Sequence, residues 1–365
     1  MNVADQITQT ALKFPYKRAV VATSGKDAFG NYRYVHYTFI ELEKKINQFA
    51  NALKDSGMNK GDKTLLFIRP CLDFSALAFA LFKIGAVPVF IDPGMGRKKF
   101  LEAVKNCSPR VLIGIPKALV LKRIFSKYFS SVKFVFNYGK RGFLGAPSIV
   151  SLSNEQSFEA ASESMAPNEL GAVLFTSGGT GRPKGVVYTH EIFIAQTRSL
   201  QEEFNLNEND VDAPGFPLFA LFTLSMGMTS CIPDMDPSNP AKADPKALIQ
   251  IIKDQSVTFA AGSPAIWQNL ALYCFENKMT LPTLKYLVMF GAPVSLELHK
   301  LFKKVLPNGD TFTPYGATES LPVSNAKGSV ILERFAEKTL EGAGVYIGRP
   351  LKEVDVKIIQ STERP

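Results

Sequence analysis

The chain has 365 residues, which at roughly 150 per domain is about two to two and a half units. Its 46% apolar and 21% charged content is that of a packed globular protein and excludes a disordered one. Lys and Arg exceed Asp and Glu by 9, which favours anionic partners such as nucleotides, fatty carboxylates, acidic lipid surfaces or nucleic acid without choosing among them.

Residues 1–20 are mixed polar and lack the apolar core of a secretion signal. Phe39–Ser56 has helical apolar spacing through Ile40, Leu42, Ile46, Phe49, Ala50 and Leu53, and Thr64–Arg69 reads as a strand. Phe74–Asp92 is nearly all apolar and close to membrane-spanning length. Lys83 in its middle, with Gly85 and Pro88 after it, makes it a buried helix (Phe74–Ile84) feeding a buried strand (Val87–Ile91). A helix over Phe100–Asn106 and strands over Val111–Gly114 and Val132–Phe136 extend the alternation. The polar stretch Ser151–Asn168 marks a junction. Beyond it, strands at Ala172–Thr176, Val186–Thr189, Thr258–Ala260 and Tyr286–Phe290 alternate with helices at Glu191–Phe204, Pro245–Gln255, Ala265–Phe275 and Ser295–Val305. From Val323 the pattern turns to strands at Ser329–Leu332, Gly344–Ile347 and Val354–Ile359. The expected fold class is α/β, with two similar α/β subdomains (1–160 and 161–322) whose largely parallel sheets pack together, then the start of a β-rich subdomain (323–365).

The sharpest motif is Thr176-Ser177-Gly178-Gly179-Thr180-Gly181-Arg182-Pro183-Lys184-Gly185. Its glycines let backbone N–H groups turn toward a polyphosphate, its hydroxyls add donors, and Lys184 supplies counter-charge. A Walker loop needs Gly directly before Lys and a helix after it, whereas Pro183 precedes Lys184 here and a strand follows. A kinase glycine loop is excluded by the lack of H-R-D and D-F-G.

The segment resembles the signature loop of the adenylate-forming superfamily, which comprises acyl-CoA synthetases, luciferase-like enzymes and peptide-synthetase adenylation domains. Gly179 departs from it, standing where a hydroxyl residue is usual. Gly291-Ala292-Pro293 is similar to that family's adenine-binding turn, and Tyr315-Gly316-Ala317-Thr318-Glu319 to its Tyr-Gly-x-Thr-Glu motif. The resemblance implies ATP and Mg²⁺ as cofactors, Tyr315 against the adenine, Thr318 on the α-phosphate and Glu319 on the metal. It also implies a ribose-binding Asp, a hinge and a catalytic Lys beyond Pro365, the Lys on a small C-terminal domain, so this chain is expected to be a large N-terminal domain of low activity by itself. Asp92–Gly96, Phe216–Phe222 and Tyr315–Pro322 look most like the olefin-pathway β-lactone synthetases, which cyclise a 3-hydroxy fatty acid through its acyl-adenylate. Ala220 stands near where many acyl-CoA synthetases carry a gating His or aromatic residue, which weakens the alternative of transfer to coenzyme A. An acyl pocket is expected from Phe219, Phe222, Met226, Trp267 and Phe290, although the helical spacing of the first three also suits plain packing. A non-catalytic nucleotide-binding protein on the same fold is the rival from another class.

Other features point to little chemistry. Cys71, Cys107, Cys231 and Cys274 form no metal pattern with His36, His190 and His299, which suits a reducing, cytoplasmic setting. His190 reads as a helix-cap residue, and no Gly-x-Ser-x-Gly elbow of a serine hydrolase exists. Basic residues come in short scattered clusters, Arg97–Lys99, Lys140-Arg141 and Lys303-Lys304, so nucleic acid is not an expected partner. The mixed basic and apolar Lys140–Leu144 reads as a solvated loop, with peripheral membrane contact as the other reading. Expected partners are a small fatty carboxylate and enzymes of a lipid pathway.

Overall fold

The computed structural model describes residues 1–175 and 183–359. Among them, six strands form one sheet in the order β6-β5-β3-β4-β7-β8: β3 (Lys63–Phe67), β4 (Val87–Ile91), β5 (Val111–Gly114), β6 (Phe134–Asn137), β7 (Leu170–Phe175) and β8 (Gly185–Thr189). Neighbours are parallel except β7 and β8. Nine strands form the other sheet in the order β15-β14-β13-β12-β11-β9-β10-β1-β2. These are β1 (Arg18–Lys26), β2 (Tyr32–Thr38), β9 (Val211–Pro214), β10 (Thr229–Cys231), β11 (Phe259–Gly262), β12 (Tyr286–Met289), β13 (Asp310–Ala317), β14 (Ser320–Lys327) and β15 (Arg349–Pro350). This sheet is parallel from β13 through to β1 and antiparallel at its two ends. The expected α/β class with largely parallel sheets is therefore what the chain adopts. The strands interleave in sequence: β1 and β2 belong to the later sheet, and β7 and β8 close the earlier one.

Helices cover both sheets: α1 (Asp5–Lys13), α2 (Phe39–Asp55), α3 (Leu72–Lys83), α4 (Arg97–Cys107), α5 (Pro116–Ile124), α6 (Ile149–Asn154), α7 (His190–Phe204), α8 (Phe219–Ser225), α9 (Pro245–Asp254), α10 (Pro264–Glu276) and α11 (Leu296–Val305). Helix α2 starts at a capping box in which the Thr38 hydroxyl accepts from the Glu41 N–H while the Glu41 carboxylate accepts from the Thr38 N–H. Helix α3 is buried over nearly its whole circumference, and its one cation is satisfied internally. The Lys83 ammonium meets the Glu43 carboxylate at 2.6 Å and the Asn47 side-chain oxygen at 2.6 Å, both on α2. Among the described residues no helix is long and apolar enough to cross a membrane.

The tail departs from expectation. Ser329–Leu332 is not a strand: Gly328–Val330 and Ile331–Phe335 are helical and are followed by a short helix, Ala336–Leu340. Ile331 packs on Leu296 and Ala326, and Phe335 stacks on Tyr346 at 3.8 Å. A run of three apolar residues, Val330–Leu332, cannot distinguish strand from helix, and here burial on one side chose the helix. Gly344–Ile347 and Val354–Ile359 are not strands either, and Ile358 is 98% exposed. The strands that exist there are β14 and β15.

Candidate active site at the seam of the two sheets

Strands β7 and β8 pair with Phe175 opposite Gly185, so the two ends of the glycine-rich loop are pinned together. A Cβ at Gly185 would lie 2.7 Å from the Val173 side chain and 2.8 Å from the Phe175 ring, so a larger residue here would have to displace them. Thr176, Ser177, Gly178, Gly179, Thr180 and Gly181 lie outside the described residues. Lys184 lies within them and is exposed, one residue before β8.

The other two motifs emerge side by side. Strands β12 and β13 are parallel, with Val288 opposite Phe312, so the chain leaves both at the same carboxyl edge, the edge where α/β sheets bind ligands. After β12 comes Gly291, at φ +84 with open space where a Cβ would be. Its backbone conformation, not crowding, demands glycine. Ala292 and Pro293 follow, both exposed. After β13, Ala317 pairs with Ser320 and closes a hairpin whose two turn residues are Thr318 and Glu319. Gly316 lies against β14, where a Cβ would come 2.6 Å from the Ser320 carbonyl. Tyr315 is 53% exposed and Glu319 is exposed.

Two hydrogen bonds fasten this hairpin to the other sheet. The Tyr188 hydroxyl on β8 donates to the Thr318 carbonyl at 2.7 Å, and the Gln196 amide on α7 donates to the Leu321 carbonyl. Burial pushes the Tyr188 phenol above its usual pKa, with the Glu319 charge adding to the effect. Lys184 is four residues before Tyr188, about 13 Å along an extended strand. The Tyr315–Glu319 turn thus lies against β8, while the Gly291 turn leaves the same edge of the nine-stranded sheet. Sequence reasoning missed Tyr188 and Gln196, and nothing in their local pattern marked them.

An apolar cavity of about 30 Å³ adjoins the seam, lined by Phe219, Phe222, Met226 and Phe290 together with Leu321 and Pro322 just after the turn. The Phe219 and Phe290 rings are 4.6 Å apart, and Phe222 stacks on Phe193 at 4.4 Å. Trp267 does not join them. It is 1% exposed in a separate core with Leu248, Leu270, Leu287 and Phe302. The alternation of β11 separates the two: Phe259 and Ala261 face the cavity, while Ala260 faces the Trp267 core.

The cavity floor holds a group that sequence reasoning passed over. Thr223 lines it, and its hydroxyl is 2.8 Å from a carboxylate oxygen of Asp212, which is fully buried on β9. Among the described residues the other carboxyl oxygen of Asp212 has no partner, and burial pushes its pKa up to about 7. An acidic residue inside the otherwise apolar Val211–Pro214 was the available signal. His190 also has a different role from the one expected. The Thr189 side chain caps α7, while the His190 Nδ1 accepts from the Val3 N–H at 3.1 Å, and burial lowers its pKa to about 4.

Among the described residues no three His, Cys, Asp or Glu side chains cluster as a metal cage. A single exposed carboxylate such as Glu319 suits Mg²⁺, which keeps several waters and takes its remaining ligands from substrate phosphates.

In sequence the chain is 35% identical over 361 residues to an olefin beta-lactone synthetase of Xanthomonas campestris pv. campestris, covering 98% of this chain and 64% of that protein. It is 36% identical over 359 residues to an olefin beta-lactone synthetase of Stenotrophomonas maltophilia, covering 98% and 63%. The chain therefore spans just under two thirds of the length of these relatives. In fold it resembles a long-chain-fatty-acid-CoA ligase from Archaeoglobus fulgidus, with a TM-score of 0.78 at 20% identity, covering 96% of this chain and 69% of that one. The sequence pattern of the AMP-binding enzymes matches residues 7–365, and the chain belongs to that family.

Proposed function

We propose that the seam activates a fatty carboxylic acid with ATP, forming an acyl-adenylate and releasing pyrophosphate, and that the adenylate then closes to a β-lactone. The observation that carries this reading is the Tyr188–Thr318 bond, which holds the phosphate-facing turn beside β8, with the apolar cavity starting at the next residues, Leu321 and Pro322. An acyl chain lying in that cavity presents its carboxylate toward Thr318. The cavity is narrow, so the chain enters by turning aside the Phe219–Phe290 pair.

In the reaction a carboxylate oxygen attacks the α-phosphorus and the bond to the pyrophosphate oxygen breaks. Thr318 donates to an α-phosphate oxygen, Tyr315 covers the adenine beside Gly291-Ala292-Pro293, and the 176–181 loop with Lys184 holds the departing phosphates. Glu319 would hold Mg²⁺, which when bound would offset the repulsion between the two anions. For the second step, the substrate's own 3-hydroxyl attacks the acyl carbonyl and AMP leaves. Likeness at 35% and 36% identity to two olefin beta-lactone synthetases and the small Ala220 at the start of α8 support this over transfer to a coenzyme A thiol.

Glu319→Gln tests the site. Calorimetry should show Mg²⁺ tightening ATP binding to the unaltered chain and not to the variant, and acid-dependent pyrophosphate release should fall by about 10²–10³. A variant with unchanged Mg²⁺ dependence and rate would remove Glu319 from the site.

A further inference from the structure

Although no cluster of cations is long, the charge of the chain is not spread evenly. Residues 103–154 contain 9 cations and no carboxylate, and the rest of the chain carries equal numbers of each sign. One stretch therefore accounts for the whole net charge of +9. It folds as the end of α4, then β5, α5, β6 and α6, at the β6 edge of the six-stranded sheet. Lys105, Lys117, Arg123, Lys127, Lys133, Lys140 and Arg141 are exposed. Among the described residues, Arg110 alone of the nine has a carboxylate partner, Asp62 at 2.8 Å.

Aliphatic side chains stand among these cations. Helix α5 forms a ridge between two clefts, with Lys122 and Arg123 lining one and Lys117, Val120 and Ile124 the other. On the ridge Ile124 is 67% exposed and Val120 39% exposed. Leu144, 49% exposed, faces Lys122 and Arg123 across the first cleft, at a φ of +50 that Leu rarely adopts. None of the seven aromatic side chains of this stretch is exposed.

We propose that this face docks on an anionic lipid bilayer, with the cations against the headgroups and Val120, Ile124 and Leu144 in the interfacial layer. Charge complementarity selects an anionic partner. Exposed aliphatic groups on a ridge, without an exposed aromatic to stack on bases, select a bilayer over nucleic acid. A cationic patch combined with apolar insertion supplies the two signals that stable peripheral binding needs. The inference does not depend on which acid is activated, and its failure would leave the ligase reading intact.

The test is co-sedimentation of the whole chain with phosphatidylcholine vesicles, with and without about 30% phosphatidylglycerol. Binding is expected only with the anionic lipid, and raising salt from about 0.1 M to about 1 M should weaken it at least tenfold. Replacing Lys122, Arg123, Lys140 and Arg141 together by Gln should weaken it at least tenfold, and Ile124→Ser severalfold, with melting curves checking that both variants fold. Equal binding to neutral vesicles, or no binding to anionic ones, overturns the proposal, and these comparisons need no variant. Vesicle binding indifferent to Ile124→Ser, together with equally tight binding of an RNA oligonucleotide, would make the face a generic polyanion surface and also overturn it.

Discussion

Asp212 has no cation beside it, and its partners are two hydroxyls, Thr223 at 2.8 Å and Ser230 at 3.5 Å. Its folded-state pKa, raised from 3.8 to about 7 by burial, makes a stability prediction with a definite sign. Between about pH 4 and pH 7 the native chain holds a proton that the unfolded chain has released. Stability from this group is therefore full below that window and falls as pH rises through it. Asp212→Asn should stabilise the protein at pH 8 by on the order of 4 kcal/mol, with the gain vanishing near pH 4. Melting temperatures of both proteins across that range check it, and a gain independent of pH would refute the assignment. His190 and His299, lowered by burial to about 4, act in the opposite sense. The unfolded chain binds their protons first, so acidification from pH 6.5 toward 4 costs stability.

At the scale of elements, the apolar α2–α3 contact encloses one buried ion pair. Lys83→Met leaves the Glu43 carboxylate buried without its cation, a loss of about 3–5 kcal/mol, whereas Lys83→Met with Glu43→Leu should recover much of it. Denaturant titrations of the single and double variants decide this, and equal losses would show that Lys83 contributes through packing alone. The Tyr188 bond joins β8 to the β13–β14 hairpin. Tyr188→Phe should cost about 1 kcal/mol and should lower pyrophosphate release more than it lowers stability, because Thr318 loses its tether. Unchanged pyrophosphate release in a folded variant would separate the bond from the site. Legibility in the sequence followed burial. Elements buried on one face or both, such as α2, α3, β4 and β5, announced themselves through period or continuous apolarity. The β1–β2 hairpin did not, because beyond the short buried run Ala19–Ala22 it is mostly exposed and mixes polar with apolar residues. Helix α5 was hidden by its cations. In the tail, short apolar runs were read as strands where a buried Ile331 made a helix.

Over the whole molecule the candidate site draws on elements of both sheets, and this limits what a linear reading can see. The glycine-rich loop, the Gly291 turn and the Tyr315–Glu319 turn were visible as motifs because their chemistry requires particular residue types. The bonds from Tyr188 and Gln196 that tie the Tyr315–Glu319 hairpin to β8 and α7 depend on sheet packing and leave no trace in local spacing. Phe219, Phe222, Met226 and Phe290, expected to act together, do line one apolar cavity. Trp267 lies apart from them in a separate core, because nearness in the chain to β11 says nothing about which face of the strand a helix covers. The central claim is that this seam recognises an acyl-adenylate bearing a long chain with a 3-hydroxyl. Calorimetric binding of two stable acyl-adenylate mimics, one with a plain long chain and one with a 3-hydroxyl on the same chain, tests it most directly. The predicted result is saturable binding of both, tighter for the 3-hydroxy mimic, with each weakened about tenfold or more by Phe290→Ala through lost apolar burial. Failure of both mimics to bind, or binding indifferent to Phe290, would contradict it.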